Sequence, residues 1–125
     1  QGHHPPMTCE SYRGQVAQDA ESASIRSLHR GLETETVRVR AEVVAAYWDI
    51  MGTNWYQLCD QTKGAVLIVQ SDERIKVKQV VSVEGELLFD QQVAHAYTFE
   101  RLIVGGKFPG AKKARPPLPD GVMEL

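Results

Sequence analysis

From Val37 to Val104 apolar and polar residues recur with a period of two, broken at intervals by turn-forming residues, which is the pattern of half-buried strands. Val37 and Val39 alternate with Arg38 and Arg40, and the strand they open runs on through Val43 and Val44 toward Tyr47. Residues 49–53, centred on Met51-Gly52, supply a hairpin-type break. Residues 54–60 predict a second strand, with Tyr56 and Leu58 on one face and Trp55, Gln57 and Cys59 on the other. After a turn at 61–64, residues 65–69 read as a third, mostly apolar strand. The charged stretch 71–78 is too short for a long helix. A fourth strand spans 79–89, where Gly85 marks the bulge or bend that closing a barrel requires. Residues 97–104 form the fifth.

The segment ahead of these strands has a different period. Residues 22–31 predict a short helix, capped by Ser22 or Ser24, with Ile25, Leu28 and Leu32 on one face and Gly31 at its stop. Such a helix depends on packing rather than on its own propensity. Residues 1–21 read as an extended arm, and residues 107–125 as a Pro/Lys-rich tail in which Pro109, Pro116, Pro117 and Pro119 favour extended backbone. The expected fold is therefore mainly β. It is a five-stranded Greek-key barrel of the oligonucleotide/oligosaccharide-binding (OB) type over residues 22–106, with one short N-terminal helix and an extended arm at each end.

Composition adds limits. A chain of 125 residues has room for one core. With 14 basic and 16 acidic residues its net charge is −2, so any attraction to a polyanion has to be local. No apolar run is long enough for a membrane helix, and no membrane span is expected. The chain starts at Gln1, which fits removal of a signal peptide and hence a periplasmic or secreted location; a leftover tag in residues 1–6 would explain it too. Cys9 and Cys59 can form one disulfide or stay as two thiols. A bridge would close a loop of about 50 residues, worth about 3–4 kcal/mol.

Residues 24–104 resemble a family of bacterial secreted OB-fold proteins. Their pattern is an Ile-x-x-Leu helix, a Val-x-Val-x-Gly-x-Val-Val strand, a Met-Gly-x-Asn-Trp-x-x-Leu-x-Asp hairpin, a Val-x-Gly strand and a closing Tyr-x-Tyr/Phe. The matching residues here are Ile25, Leu28, Val37 through Val44, Met51, Gly52, Asn54, Trp55, Leu58, Asp60, Val83, Gly85, Tyr97 and Phe99. Ala41, Cys59, Lys78 and His95 depart from that pattern. The resemblance implies a five-stranded barrel akin to nucleic-acid-binding ones.

Candidate chemistry follows from the aromatic and basic residues. Single-strand binders combine stacking platforms with a basic groove. Tyr47, Trp48, Trp55 and Tyr56 are platform candidates, Gln57 is a polar neighbour, and Arg38, Arg40, Lys63, Arg74 and Lys76 offer charge. Tail residues Lys107, Phe108, Lys112, Lys113 and Arg115 are candidates for a strap along a partner protein. His3, His4, Met7 and Cys9 cluster near the N-terminus, yet on an arm without preorganisation, so neither metal nor cofactor is expected. No hydrolase, P-loop, zincin or dinucleotide motif occurs. The expected function is a non-catalytic, exported accessory subunit fastened by its termini to other protein subunits of a larger assembly. The alternative is a barrel that binds single-stranded nucleic acid.

Overall fold

The computed structural model describes residues 7–93 and 97–115. His3, His4, His95, Pro116, Pro117 and Pro119 lie outside the described residues. Five strands carry the fold: β1 (Thr36–Ile50), β2 (Thr53–Cys59), β3 (Leu67–Ser71), β4 (Val80–Val93) and β5 (Tyr97–Lys107). They hydrogen-bond in a closed ring, in the order β1-β2-β3-β5-β4. All neighbours are antiparallel except β3 and β5, which meet in a short parallel seam at Ile68↔Leu102 and Val69↔Ile103. No described helix is long and apolar enough to cross a membrane.

The ring closes because two strands are long enough to serve two neighbours each. β1 pairs with β4 from Thr36 to Glu42 and with β2 from Glu42 to Ile50, and its register shifts between Val43 and Ala45. β4 pairs with β1 up to Glu86, then with β5, with a shift between Glu84 and Glu86 that brackets the expected bulge at Gly85. A Cβ there would sit 2.4 Å from Ile103 Cγ2 and 2.9 Å from the Val104 carbonyl oxygen. Only glycine allows β5 to come that close.

Alternation sets the interior. Val37, Val39, Ala41 and Val43 of β1 point inward with Tyr56 and Leu58 of β2, Leu67 and Val69 of β3, Val81, Val83, Leu87 and Phe89 of β4, and Ile103 of β5. Arg38, Arg40 and Glu42 take the opposite face.

Residues 22–31 do not form the expected α-helix. Ala23 instead pairs in parallel with Val39, residues 25–27 turn, and only Arg30–Leu32 makes a 3₁₀ turn. Local polar groups capture the backbone. The Asp60 carboxylate accepts the Ile25 N–H at 2.8 Å, and the Ser27 hydroxyl donates to the Ser24 carbonyl at 2.8 Å. Ser and Asp side chains compete with helical bonds in this way. Ile25 and Leu28 nevertheless plug the interior, as their apolar spacing implies.

The N-terminal arm is bound to the ring. Cys9 and Cys59 are joined in a disulfide, both buried. The Val16 N–H donates to the Asp60 carbonyl at 3.0 Å, and the Tyr12 hydroxyl donates to Glu42 Oε1 at 2.7 Å. Burial, the Glu42 hydrogen bond and charge, and nearby Asp60 push the Tyr12 hydroxyl up to about 12.

Two predictions follow from these contacts. Gly85→Ala overpacks the approach of β4 to β5 and is expected to lower stability by about 2–3 kcal/mol, read as a lower urea midpoint at unchanged slope. Folding favours the protonated Tyr12, so its contribution is full below the ordinary tyrosine range and is lost as pH climbs through about 12. Between pH ~10 and ~12 the wild-type protein should therefore lose about 1–3 kcal/mol more than Tyr12→Phe, measured by denaturation at each pH.

Candidate ligand cleft between two hairpins

The sequence Met51-Gly-Thr-Asn-Trp55 makes a hairpin whose own side chains brace its tip. Ile50 pairs with Thr53, leaving Met51 and Gly52 as a two-residue connection with φ of 55° and 78°. Positive φ at both positions is the mark of a type I′ turn, which suits the twist of the flanking strands. Buried Asn54 accepts the Asp49 N–H through Oδ1 at 3.1 Å, and its Nδ2 donates to the carbonyls of Asp72 and Glu73, each at 3.4 Å. The Trp55 indole Nε1 donates to the Ile50 carbonyl at 2.9 Å. The Asn-Trp pair thus ties the β1–β2 tip both to its own strand and to the connection after β3.

The β4–β5 hairpin bounds the other side. Gln91, Gln92 and Val93 pair with Phe99, Thr98 and Tyr97, beyond a positive φ of 54° at Asp90. Phe99 packs on Trp55 with ring centroids 6.0 Å apart, and Tyr97 stacks on Phe99 at 6.2 Å. Together with Ile68 and Leu102 they form a second apolar cluster outside the ring's core. Between the two hairpins lies a half-open cleft of about 160 Å³. Tyr47, Ile50, Met51 and Trp55 form one wall, and Val93, Tyr97 and Phe99 the other. Met7 of the N-terminal arm lies against it as well. None of these side chains carries a charge. The Gln57 amide donates to the Thr8 carbonyl and, with the disulfide, fixes the arm beside the cleft.

The basic candidates lie elsewhere. Arg38 pairs with Glu84 across β1 and β4, and Arg40 reaches Ser82. Arg74 holds Asp49 at 2.8 Å and lies 5.0 Å over the Trp48 ring, so Trp48 faces away from its neighbour Tyr47. Lys63 is exposed in the turn after β2, and its N–H donates to the Tyr12 carbonyl. Of the expected platform residues, Tyr47 and Trp55 meet at the cleft. Tyr56 does not: it is buried inside the ring, its hydroxyl donating to the Glu73 carbonyl at 2.6 Å and accepting the Ile75 N–H at 2.9 Å. Gln57 is buried too.

The tail up to Arg115 packs on its own ring. Phe108, expected on a partner-facing strap, is only 1% exposed and meets Tyr56 edge-on at 5.5 Å. Phe108 directly follows β5 and folds back over the open end of the core, where the apolar interior holds it. Lys112 and Lys113 run antiparallel to the stretch around Ile75, and Lys113 pairs with Glu73. Lys107 lies exposed opposite Glu84, and Arg115 is exposed at the end of the described chain.

Met7, Ile50, Met51, Val93, Tyr97 and Phe99 are the cleft residues that reasoning from sequence did not assign to a ligand site. The alternation Tyr97-x-Phe99 was visible, but its pairing with Trp55 depends on how the hairpin bends. Among the described residues no group of three His, Cys, Asp or Glu could hold a metal ion. No family model, curated protein or solved structure matches this chain.

Removing the Asn54 amide should loosen the tip without emptying the core. Asn54→Ala is expected to lose about 1–3 kcal/mol, because three hydrogen bonds go and the part-buried Asp49 N–H loses its acceptor. Amide hydrogen exchange should rise at residues 49–55 more than at residues 80–89.

Proposed function

We propose that this chain is a non-catalytic OB-type interaction module, exported and disulfide-secured, which binds an uncharged apolar group of a protein partner in the cleft between its β1–β2 and β4–β5 hairpins. The observation that carries the reading is the cleft itself. It is open to solvent, lined by aromatic and aliphatic side chains, and shaped by a hairpin tip that buried Asn54 and Trp55 hold in place. Clefts with this lining are the usual form of small-ligand and anchor-residue sites. The OB-type assignment draws support from the strand order β1-β2-β3-β5-β4 and from a bent β1 shared by two neighbours. Export draws support from a buried disulfide in a small domain.

The expectation that the termini fasten the chain to a larger assembly passes from the tail to the cleft, since Phe108 and Lys113 are engaged within the chain. The nucleic-acid alternative has less support. Its stacking residues Tyr47 and Trp55 lie apart from Arg38 and Arg74, Arg74 covers the face of Trp48, and both arginines are ion-paired. A strand-binding groove needs aromatic platforms and positive charge side by side.

Toluene serves as the simplest probe. It should quench or shift Trp55 fluorescence in the wild-type protein, and Ile50→Glu should weaken that response at least about tenfold, because charge at the rim must be desolvated. Ile50 is 38% exposed, so the variant should keep its fold and melting temperature. A short oligothymidylate should give no salt-dependent response; saturable binding with a steep salt slope would move the assignment to the nucleic-acid reading.

A further inference from the structure

Ile75 and Lys113 form an isolated antiparallel bridge, which brings together two stretches that the sequence keeps far apart. The Lys76 N–H donates to the Lys112 carbonyl at 3.1 Å, and the Ala114 N–H to the Arg74 carbonyl at 2.8 Å. The Gln79 side chain closes the pair, accepting the Lys112 N–H at 3.0 Å and donating to the Lys76 and Lys112 carbonyls. Between them the chain turns at Lys78, where φ is 67° and the N–H donates to the Val43 carbonyl at 2.7 Å. Lys76, Lys78 and Lys112 therefore share one braced edge of a chain whose net charge is −2.

All three lysines are exposed, and none pairs with an acid among the described residues. Neighbouring acids are engaged. Glu73 holds Lys113, Asp49 holds Arg74, Asp72 accepts the Thr53 hydroxyl, and Glu42, opposite Val80, accepts the Tyr12 hydroxyl. Among the lysines stand Val77 and Val80, 39% and 43% exposed, two of the four large apolar side chains left in the open among the described residues. Beside them Ala46, Trp48, Val77 and Ala114 line, with Lys76, an open groove of about 480 Å³.

We propose that this edge is a peripheral docking surface for an anionic phospholipid bilayer, with Lys76, Lys78 and Lys112 on lipid phosphates and Val77 and Val80 at the headgroup–acyl boundary. The edge shares no residue with the cleft beside Trp55 and acts independently of it. Unpaired positive charge calls for an anion, and three features select a bilayer over a soluble one. The unpaired cations are lysines, compact point charges that suit a fluid array of headgroups, whereas a fixed phosphate or carboxylate is best met by an arginine fork. The backbone along residues 74–76 pairs with that along 112–114, so an acidic peptide finds no free strand edge to extend. The valines gain nothing from a nucleic-acid backbone, and the aromatic of the groove, Trp48, has one face covered by Arg74. Interfacial binders instead combine buried apolar area with attraction to anionic lipid, and an indole is at home at headgroup level.

The test is co-sedimentation of the full, oxidised chain with vesicles of phosphatidylcholine alone and of phosphatidylcholine mixed equally with phosphatidylglycerol. The mixed vesicles should bind the protein and the phosphatidylcholine vesicles should not, with association lost toward about 1 M salt. Lys76→Gln, Lys78→Gln and Lys112→Gln should each lower partitioning about fivefold. Lys63→Gln, the same loss of charge on the turn after β2, should leave it unchanged. Val77→Thr combined with Val80→Thr should lower it about three- to tenfold. These side chains are all exposed, so each variant should melt with the wild type. Failure to bind the mixed vesicles, equal binding to phosphatidylcholine, or a loss with Lys63→Gln as large as with Lys76→Gln overturns the proposal. So does a valine pair without effect. Polyglutamate or a short oligothymidylate bound as tightly as the mixed vesicles, through the same three lysines, overturns the bilayer and assigns the edge to a soluble polyanion.

Discussion

Sharp bending of two strands is the constraint from which the rest of the structure follows. β1 has to leave β4 and join β2 within a residue of Glu42, and β4 has to leave β1 and follow β5 around Gly85. The first bend is made by a register irregularity, the second by a glycine against which β5 packs with no room for a Cβ. Once both bends are in place, a single alternation of side chains yields two compartments. Val39, Val43, Val83 and Leu87 fill the inside, while Trp55, Ile68 and Leu102 collect outside. The outer cluster exists because a ring this small, with about five strands, has an outer face that the N-terminal arm and the β4–β5 hairpin only partly cover.

That division also sorts the chemistry. Adjacent residues on a strand point to opposite sides, so Tyr47 joins the cleft while Trp48 turns toward Arg74. Arg38 sits on the outer face too, but over the β1–β4 half of the ring, where Glu84 neutralises it. The aromatic cleft and the basic residues can both be present in the composition and still lie apart, even though a single aromatic such as Trp48 sits under an arginine. What the cleft offers is largely apolar contact area, and the Trp55 indole N–H is already spent on the tip. Under the proposed reading, a ligand there would be held by shape and by the exclusion of water.

Much of the fold was legible in the sequence, and the reasons are local. Val37-Arg38-Val39-Arg40 fixes a strand and its facing, Met51-Gly52 fixes a tight connection, and Gly85 in an apolar strand fixes a bulge. Trp55 and Tyr47 could be placed as candidate site residues on the same ground. The misreadings are all cases in which a distant partner decides. The Ile25-x-x-Leu28 spacing fits a helix and a buried turn equally well, and Asp60, 35 residues away, selects the turn by taking the Ile25 N–H. Phe108 reads as part of a polar strap until the open end of the core is there to receive it. Val93, Tyr97 and Phe99 reach the cleft only because the chain changes direction near Asp90, a non-glycine residue whose positive φ no local pattern announced.

The seam between β3 and β5 has a consequence for biosynthesis. Its two pairs require Leu102 and Ile103, and the core is sealed by Phe108, so the cylinder lacks its last staves until the chain has been made through residue 108. On a ribosome working from the N-terminus, the earlier hairpins can form but cannot close on each other. Until β5 is in place, the apolar faces of the earlier hairpins have no partner to cover them.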